Sequence, residues 1–366
     1  MLYYLSMFLF VIIITFIGEM FLKNNHKIIS FVFFGISILT IVLFSGFRAD
    51  TVGTDVQIYI LPQLNYSKQF YSIIEYISSS NIELLNSCII YFFGKISFDT
   101  TIILSVYQFL TILPIYIALV FKRKNISITF GIFIYLFFLY HITLNIIRQS
   151  VAGSFLFLGY VLLQEKKYIK AAILSILSIM FHNSAFVIII ILTIAYLSNN
   201  CKKNSLLMKI GALTFFGILI FFSTPLLKYF SLNLKIIDEK YYYSYIERMD
   251  YSVNLFEFLL RSIISFFPII NFNLIKQEKR IDNFSWCVLI GLLFSFGTFI
   301  SQYMIRLSYY FYYYYLIAIP SSINIFTKKD TSRYIVIFIQ CLAIVFYWYI
   351  IYITWAWHET IPFMFK

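Results

Sequence analysis

The sequence predicts an all-α fold, a polytopic transmembrane helical bundle, and three observations carry that expectation. Hydrophobic residues make up 61% of the 366 positions and charged residues only 12%, outside the balance of a soluble globular domain. Apolar runs of about 15–22 residues recur between short charged breaks, the length that crosses a hydrocarbon layer. The runs are continuous, without the short alternating segments of a membrane β-barrel. The net charge of +12 sits in the breaks, as the positive-inside rule requires, so no nucleic-acid partner is expected. Cys88, Cys201, Cys287 and Cys341 stand alone, with neither metal-like spacing nor the look of a disulfide framework.

In chain order, Leu2–Leu22 reads as a first span; it lacks the basic start of a cleavable signal. Lys23, His26 and Lys27 break it from a second span, Ile28–Phe47. A long polar segment runs from Arg48 to about Thr100, with an apolar patch at Leu84–Phe93 that is short for a crossing and reads as an interfacial or re-entrant helix. Thr101–Phe121, Ile126–Leu144 and Ser150–Leu163 follow as spans. Ile169–Leu197 is too long for one ordinary helix and is interrupted at His182-Asn183-Ser184, so two short helices are expected to meet there. Leu206–Phe222 precedes a second long loop at 223–254; Leu255–Ile275, Phe284–Tyr303, Leu307–Phe326 and Tyr334–Trp355 complete about twelve crossings (roughly ten to thirteen) in a single integral membrane domain.

Lys and Arg clusters at 23–27, 122–124, 166–170, 202–209, 276–280 and 328–333 then fall on one face, expected to be cytoplasmic. Both long loops, Arg48, Asp55, Arg148, His182 and Arg306 fall on the other. Gly46–Tyr59 concentrates Arg48, Asp50 and Asp55 at the mouth of an apolar helix. His141, Asn145 and Arg148 are spaced i, i+4, i+7, one face of a continuous helix. Arg48, Arg148 and Arg306, with Arg261 as a weaker fourth, have the guanidinium fork that suits a phosphate or diphosphate. Asp55, then Asp50, and His182 are the candidates for a general base; Glu83 opens the short apolar patch and reads equally as a member of this polar group or as ordinary helix N-terminal charge. The tyrosine runs at 241–245 and 309–315 could stack sugar rings, but interfacial aromatic belts and coding bias explain them as well and are preferred. The nucleotide, dinucleotide, zinc-protease and serine-hydrolase motifs are absent, so neither a cofactor nor a bound metal is expected.

Arg48…Gly53-Thr54-Asp55…Tyr59, Arg148-Gln149-Ser150, Lys166-Lys167…Phe181-His182-Asn183-Ser184-Ala185, Arg306…Tyr309-Tyr310-Phe311 and Ile361-Pro362-Phe363 stand in an order that resembles the EpsG/Wzy-like bacterial polysaccharide polymerases. Phe363 departs from the tyrosine usual there. The resemblance implies a multi-pass protein of the bacterial cytoplasmic membrane that joins undecaprenyl-diphosphate-linked oligosaccharide units at the outer face. The lipid-linked oligosaccharide serves as donor and acceptor, and a chain-length regulator is a conceivable partner. In that chemistry Arg48, Arg148 and Arg306 bind diphosphate, Asp55 or His182 activates the acceptor, and Gln149 and Tyr59 position sugars. An O-antigen ligase using the same donor, a sugar O-acyltransferase and a transporter of lipid-linked units are the competing readings. The weakness of any internal repeat counts against the transporter.

Overall fold

The computed structural model describes residues 1–96, 99–186, 255–274, 282–300, 303–326 and 330–366, with scattered helical residues between 188 and 222. The loop at 223–254, with its tyrosine run, and the basic breaks at 202–209 and 276–280 lie outside the described residues. What is described is helical, apart from one antiparallel bridge between Arg48 and Phe365. Among the described residues five segments are long and apolar enough to cross a membrane: Leu2–Lys23, Lys27–Gly46, Thr101–Lys122, Ile128–Asn145 and Ser332–Thr354. The chain is therefore a polytopic α-helical membrane protein. The expected crossing Ser150–Leu163 falls on a helix of 18 residues, Ile147–Gln164, that is less apolar than these five, and the other expected crossings fall on shorter helices or outside the described residues.

Contacts divide the chain into two compact units, Met1–Val187 with Ile344–Lys366, and Ile188–Ala343. The first unit begins with α1 (Leu2–Lys23) and α2 (Lys27–Gly46), joined by a tight turn at Asn24–His26. Between α1 and α2, Thr15 Oγ1 donates to Ser37 Oγ at 3.1 Å and lies 2.7 Å from the Tyr116 hydroxyl. Such hydrogen bonds fix helix pairs where lipid removes the hydrophobic drive. Gly46 ends α2 against Ser105, where any Cβ would collide with the serine side chain. The polar segment that follows holds more helix than expected: a π-helical turn at Val56–Ile60, then α3 (Leu61–Ser67) and α4 (Ile73–Ser79). The expected short apolar helix is present as α5 (Leu84–Ile96).

Next come α6 (Thr101–Lys122) and a span built of α7 (Ile128–Ile134), a π turn and α8 (Tyr140–Asn145). Then α9 (Ile147–Gln164) and α10 (Tyr168–Phe181) complete this part of the unit. Nearly every residue of α9 is buried, which marks it as the central helix. Its small residues allow close approach: Ser178 on α10 donates its hydroxyl to the Ala152 carbonyl at 2.8 Å. At one end of the unit Lys122 pairs with Glu165 at 2.7 Å, and buried Glu19 accepts from the Thr129 amide at 2.8 Å. Since successive helices alternate in direction, Lys23, Lys27, Lys122 and Lys167 gather at that end, and the chain segments around Arg48, Asp55, Arg148 and His182 at the other. The helix of 14 residues from Tyr168 to Phe181 is about 21 Å long, short of the ~30 Å hydrocarbon thickness.

In the second unit the expected span Leu255–Ile275 is two helices, Leu255–Ile264 and Phe266–Leu274, meeting at Ser265. The Tyr309–Tyr315 run corrects the aromatic-belt reading. All seven side chains are buried in this unit, and Phe311 stacks on Phe294 with centroids 5.7 Å apart. The hydroxyls of Tyr312 and Tyr315 lie 3.3 Å from Ser295 Oγ and 2.7 Å from Ser265 Oγ. A tyrosine ring that finds a partner for its hydroxyl packs as core.

Candidate functional site

Glu83, for which the sequence leaves a functional role and ordinary helix-terminal charge equal, is the hub of the first unit's polar end. It directly precedes α5, and one turn later Asn86 is pinned from two sides. Asn86 Nδ2 donates to the Phe181 carbonyl at 2.7 Å, and Tyr107 donates its hydroxyl to Asn86 Oδ1 at 3.0 Å. The same amide nitrogen reaches Glu83 Oε2 at 3.1 Å. α10 stops at His182, whose extended backbone (φ −158°, ψ 119°) turns the imidazole toward Glu83. The break expected at His182-Asn183-Ser184 is thus present.

The two carboxylate oxygens take two different partners. Arg148 Nη1 donates to Oε2 at 2.5 Å and His182 Nδ1 lies 2.8 Å from Oε1. The Arg148 guanidinium also lies over the Tyr59 ring, 4.3 Å from its centroid, in cation–π contact. Side-chain exposures of 8% for Glu83, 14% for Arg148 and 21% for His182 describe a recessed site still open to a ligand. Burial pushes the Glu83 carboxyl up, but the His182 hydrogen bond and the charges of Arg148 and His182 outweigh it and hold the group down at about 2. Glu83 is therefore ionised at neutral pH and accepts from Nδ1–H of His182. In the neutral imidazole that arrangement puts the lone pair on Nε2, and nothing among the described residues hydrogen-bonds that nitrogen. Arg148 likewise keeps N–H groups without protein acceptors among the described residues. Chemically this is an oriented base beside a partly committed fork for an anion.

A second layer positions Arg148. Half-buried Asp55 accepts from the Ile147 amide through Oδ2 at 3.1 Å, capping the first turn of α9, which carries Arg148. Asn145 Oδ1 takes the Thr54 hydroxyl at 2.5 Å and the Asp55 amide at 3.4 Å. Gly53 stands in the left-handed region (φ +89°), where a Cβ would lie 2.7 Å from the Leu144 carbonyl oxygen.

The remaining predicted residues fall in several places. Arg48 is buried: Nη2 donates to the Leu144 carbonyl at 2.8 Å, Nη1 to Ser45 Oγ at 3.4 Å, and Nε meets no acceptor among the described residues. Burial pulls its basicity down to about 10, so it is still charged at neutral pH. Chain reversal after α2 and the covering bridge to Phe365 place it inside the fold. Asp50 accepts from the Thr100 hydroxyl at 2.5 Å and pairs with Lys366 at 3.1 Å. His141 does not share a face with Arg148, because the chain breaks at Ile146 (φ −89°, ψ 67°) between α8 and α9. Its Nε2 accepts from Trp348 Nε1–H at 2.9 Å and its Nδ1 meets Thr360 Oγ1 at 2.6 Å, so both ring nitrogens serve packing. Gln149 is buried on α9 beside Arg148. Arg261 and Arg306 belong to the second unit. There Arg261 is buried, pairs with Glu257 one turn away, and lies over Tyr312 at 5.0 Å. Arg306 is half-buried in the first turn of the helix Tyr303–Tyr312.

Asn86, Tyr107 and His358 were not foreseen as neighbours of the site. A weak signal existed for Glu83 and Asn86: an acid and an amide at i, i+3 opening an apolar helix are unusual unless something partners them. Among the described residues no three of His, Cys, Asp and Glu gather as a metal site needs. Compared with known proteins, the chain matches the model of the EpsG family over residues 31–365. No curated protein and no solved structure matches it.

Proposed function

The chain belongs to the EpsG family, and from that premise we propose that it is a polysaccharide polymerase, a glycosyltransferase joining lipid-diphosphate-linked oligosaccharide repeat units. The observation that carries the reading is the sharing of Glu83 between Arg148 and His182. It sets a guanidinium and an imidazole side by side, which supports reading the first as the diphosphate-binding fork and the second as the base for the acceptor.

The reaction divides between these residues as follows. The acceptor sugar's hydroxyl oxygen attacks the anomeric carbon of the donor, and the hydroxyl proton passes to His182 Nε2. The bond from the anomeric carbon to the diphosphate oxygen breaks, and its electron pair leaves with the diphosphate. Negative charge grows on that oxygen, and the open N–H groups of Arg148 are placed to stabilise it. Glu83 holds Nδ1–H of His182, fixes the tautomer, and stabilises the imidazolium that forms. Asp55 acts from behind, by holding the α9 terminus that presents Arg148. The glycosyl diphosphate is already activated, so no nucleotide is called for. Since lysines crowd the opposite end of this unit, the positive-inside rule supports an extracytoplasmic site in the cytoplasmic membrane. The short α10 supports a recess below the outer surface.

Cells lacking the chromosomal copy and complemented with variants test the proposal. Arg148→Ala and His182→Ala, at normal protein level, are expected to accumulate single lipid-linked repeat units. Full-length polymer from both variants would overturn it.

A further inference from the structure

The chain's last residues return to the candidate site as a strap. Ala49 donates its amide to the Met364 carbonyl at 2.8 Å, and Lys366 donates its amide to the Phe47 carbonyl at 3.0 Å. Gly53 donates to the Glu359 carbonyl at 2.9 Å, and Tyr4 places its hydroxyl on the Thr360 carbonyl at 2.8 Å. The strap therefore grips the segment that carries Thr54 and Asp55 and is itself anchored on α1 and His141.

At its centre stands His358. Ala356, His358 and Glu359 all have positive φ, at 51°, 69° and 51°. Side chains other than glycine avoid that region, and segments held in it persist where surrounding contacts over-determine them, often at working sites. The contact here is specific. Asp55 N–H can only donate, so the arm of Asn145 facing it is the oxygen, and the other arm is the amide nitrogen. That nitrogen lies 3.2 Å from His358 Nδ1, which must then accept, with the imidazole proton on Nε2.

We propose that His358 is a positioning residue for the candidate site: by accepting from Asn145 it locks the amide that holds Thr54 and Asp55, and through Asp55 it fixes the α9 terminus bearing Arg148. The chain of contacts is continuous. It runs from His358 Nδ1 to Asn145, from Asn145 Oδ1 to the Asp55 amide, from Asp55 Oδ2 to the Ile147 amide, and so to Arg148. The role in catalysis rests on the polymerase reading; the mechanical linkage does not.

Two substitutions separate the hydrogen bond from the backbone. His358→Gly relieves the left-handed conformation and removes the acceptor. His358→Asn keeps an oxygen where Nδ1 stood and tolerates the same backbone. Hydrogen exchange of the purified full-length chain in detergent, read by mass spectrometry, should show the amides of Gly53–Asp55 and Ile147–Gln149 exchanging about tenfold faster in His358→Gly, one hydrogen bond's worth. His358→Asn should restore wild-type exchange. In the polymerisation assay His358→Gly should lower kcat about tenfold with little change in KM, and His358→Asn should recover it. Unchanged exchange in His358→Gly, failure of His358→Asn to restore it, or faster exchange with undiminished kcat would each overturn the proposal. A wild-type protein that makes no polymer would count against the polymerase reading, while the exchange data would still judge the linkage.

Discussion

Replacing Glu83 by glutamine probes the hub while keeping its shape. The wild-type carboxyl sits at about 2 against an ordinary value of 4.5, so its ionised form is favoured in the folded state. A depressed carboxylate contributes stability above its unfolded value and loses it as pH falls through the folded one. For Glu83 that window runs from about pH 5 down to about pH 2, and the shift amounts to about 3 kcal/mol for this largely buried group. Glu83→Gln should therefore be less stable by roughly that amount at neutral pH and show a flatter acid dependence across the window, measured by thermal unfolding in detergent at stepped pH. The effect on activity should be larger. A glutamine amide can donate to His182 Nδ1 and reverse the tautomer, which removes the lone pair from Nε2. Loss of a positioned base costs about 10²–10⁴ in rate. Initial rates of polymer formation at pH 7, at matched folded protein, would measure it. A Glu83→Gln enzyme within threefold of wild type, with unaltered acid stability, would refute the assignment of Glu83.

Three further outcomes follow from the same geometry. Arg148→Lys keeps a charge but loses the fork and the planar face over Tyr59, so polymerisation should fall at least about tenfold, measured as kcat/KM for the lipid-linked unit. His182→Asn can still meet Glu83 but has no basic nitrogen in the Nε2 position; it should be as slow as His182→Ala while folding normally by thermal melt. Gly53→Ala forces a Cβ toward the Leu144 carbonyl at positive φ, which should cost about 1–3 kcal/mol of stability and be visible as a lowered unfolding temperature.

Much of the fold was legible because membrane spans are written in composition. Leu2–Lys23, Lys27–Gly46 and Thr101–Lys122 end within a residue or so of the charged breaks that announced them. The stop at His182 was legible for the same reason, a polar triplet inside an apolar run. The helices Leu61–Ser67 and Ile73–Ser79 were not, because their polar, Pro- and Ser-containing sequences give no membrane signal and are folded by packing on α5. Arg148 and His182 could be singled out, since charge is costly beside apolar segments. Their meeting on Glu83 could not, because the partners lie 65 and 99 residues away and local sequence carries no register between them. Arg48 illustrates the converse. Its place at a helix end suggested exposure, and only the returning C-terminal strap shows it to be buried. The i, i+4, i+7 spacing of His141, Asn145 and Arg148 misled because it assumes an unbroken helix, whereas Ile146 turns the chain between them.

The central claim meets its most direct test in purified wild-type protein and Arg148→Ala, each in detergent with a synthetic polyprenyl-diphosphate repeat unit and no nucleotide. Products would be resolved by size. The proposed Arg148 fork predicts a ladder of repeat units from the wild type and none from Arg148→Ala at equal folded protein. Equal ladders from both would contradict the fork. No ladder from the wild type, with the lipid-linked unit instead moving between leaflets of liposomes, would contradict the polymerase itself.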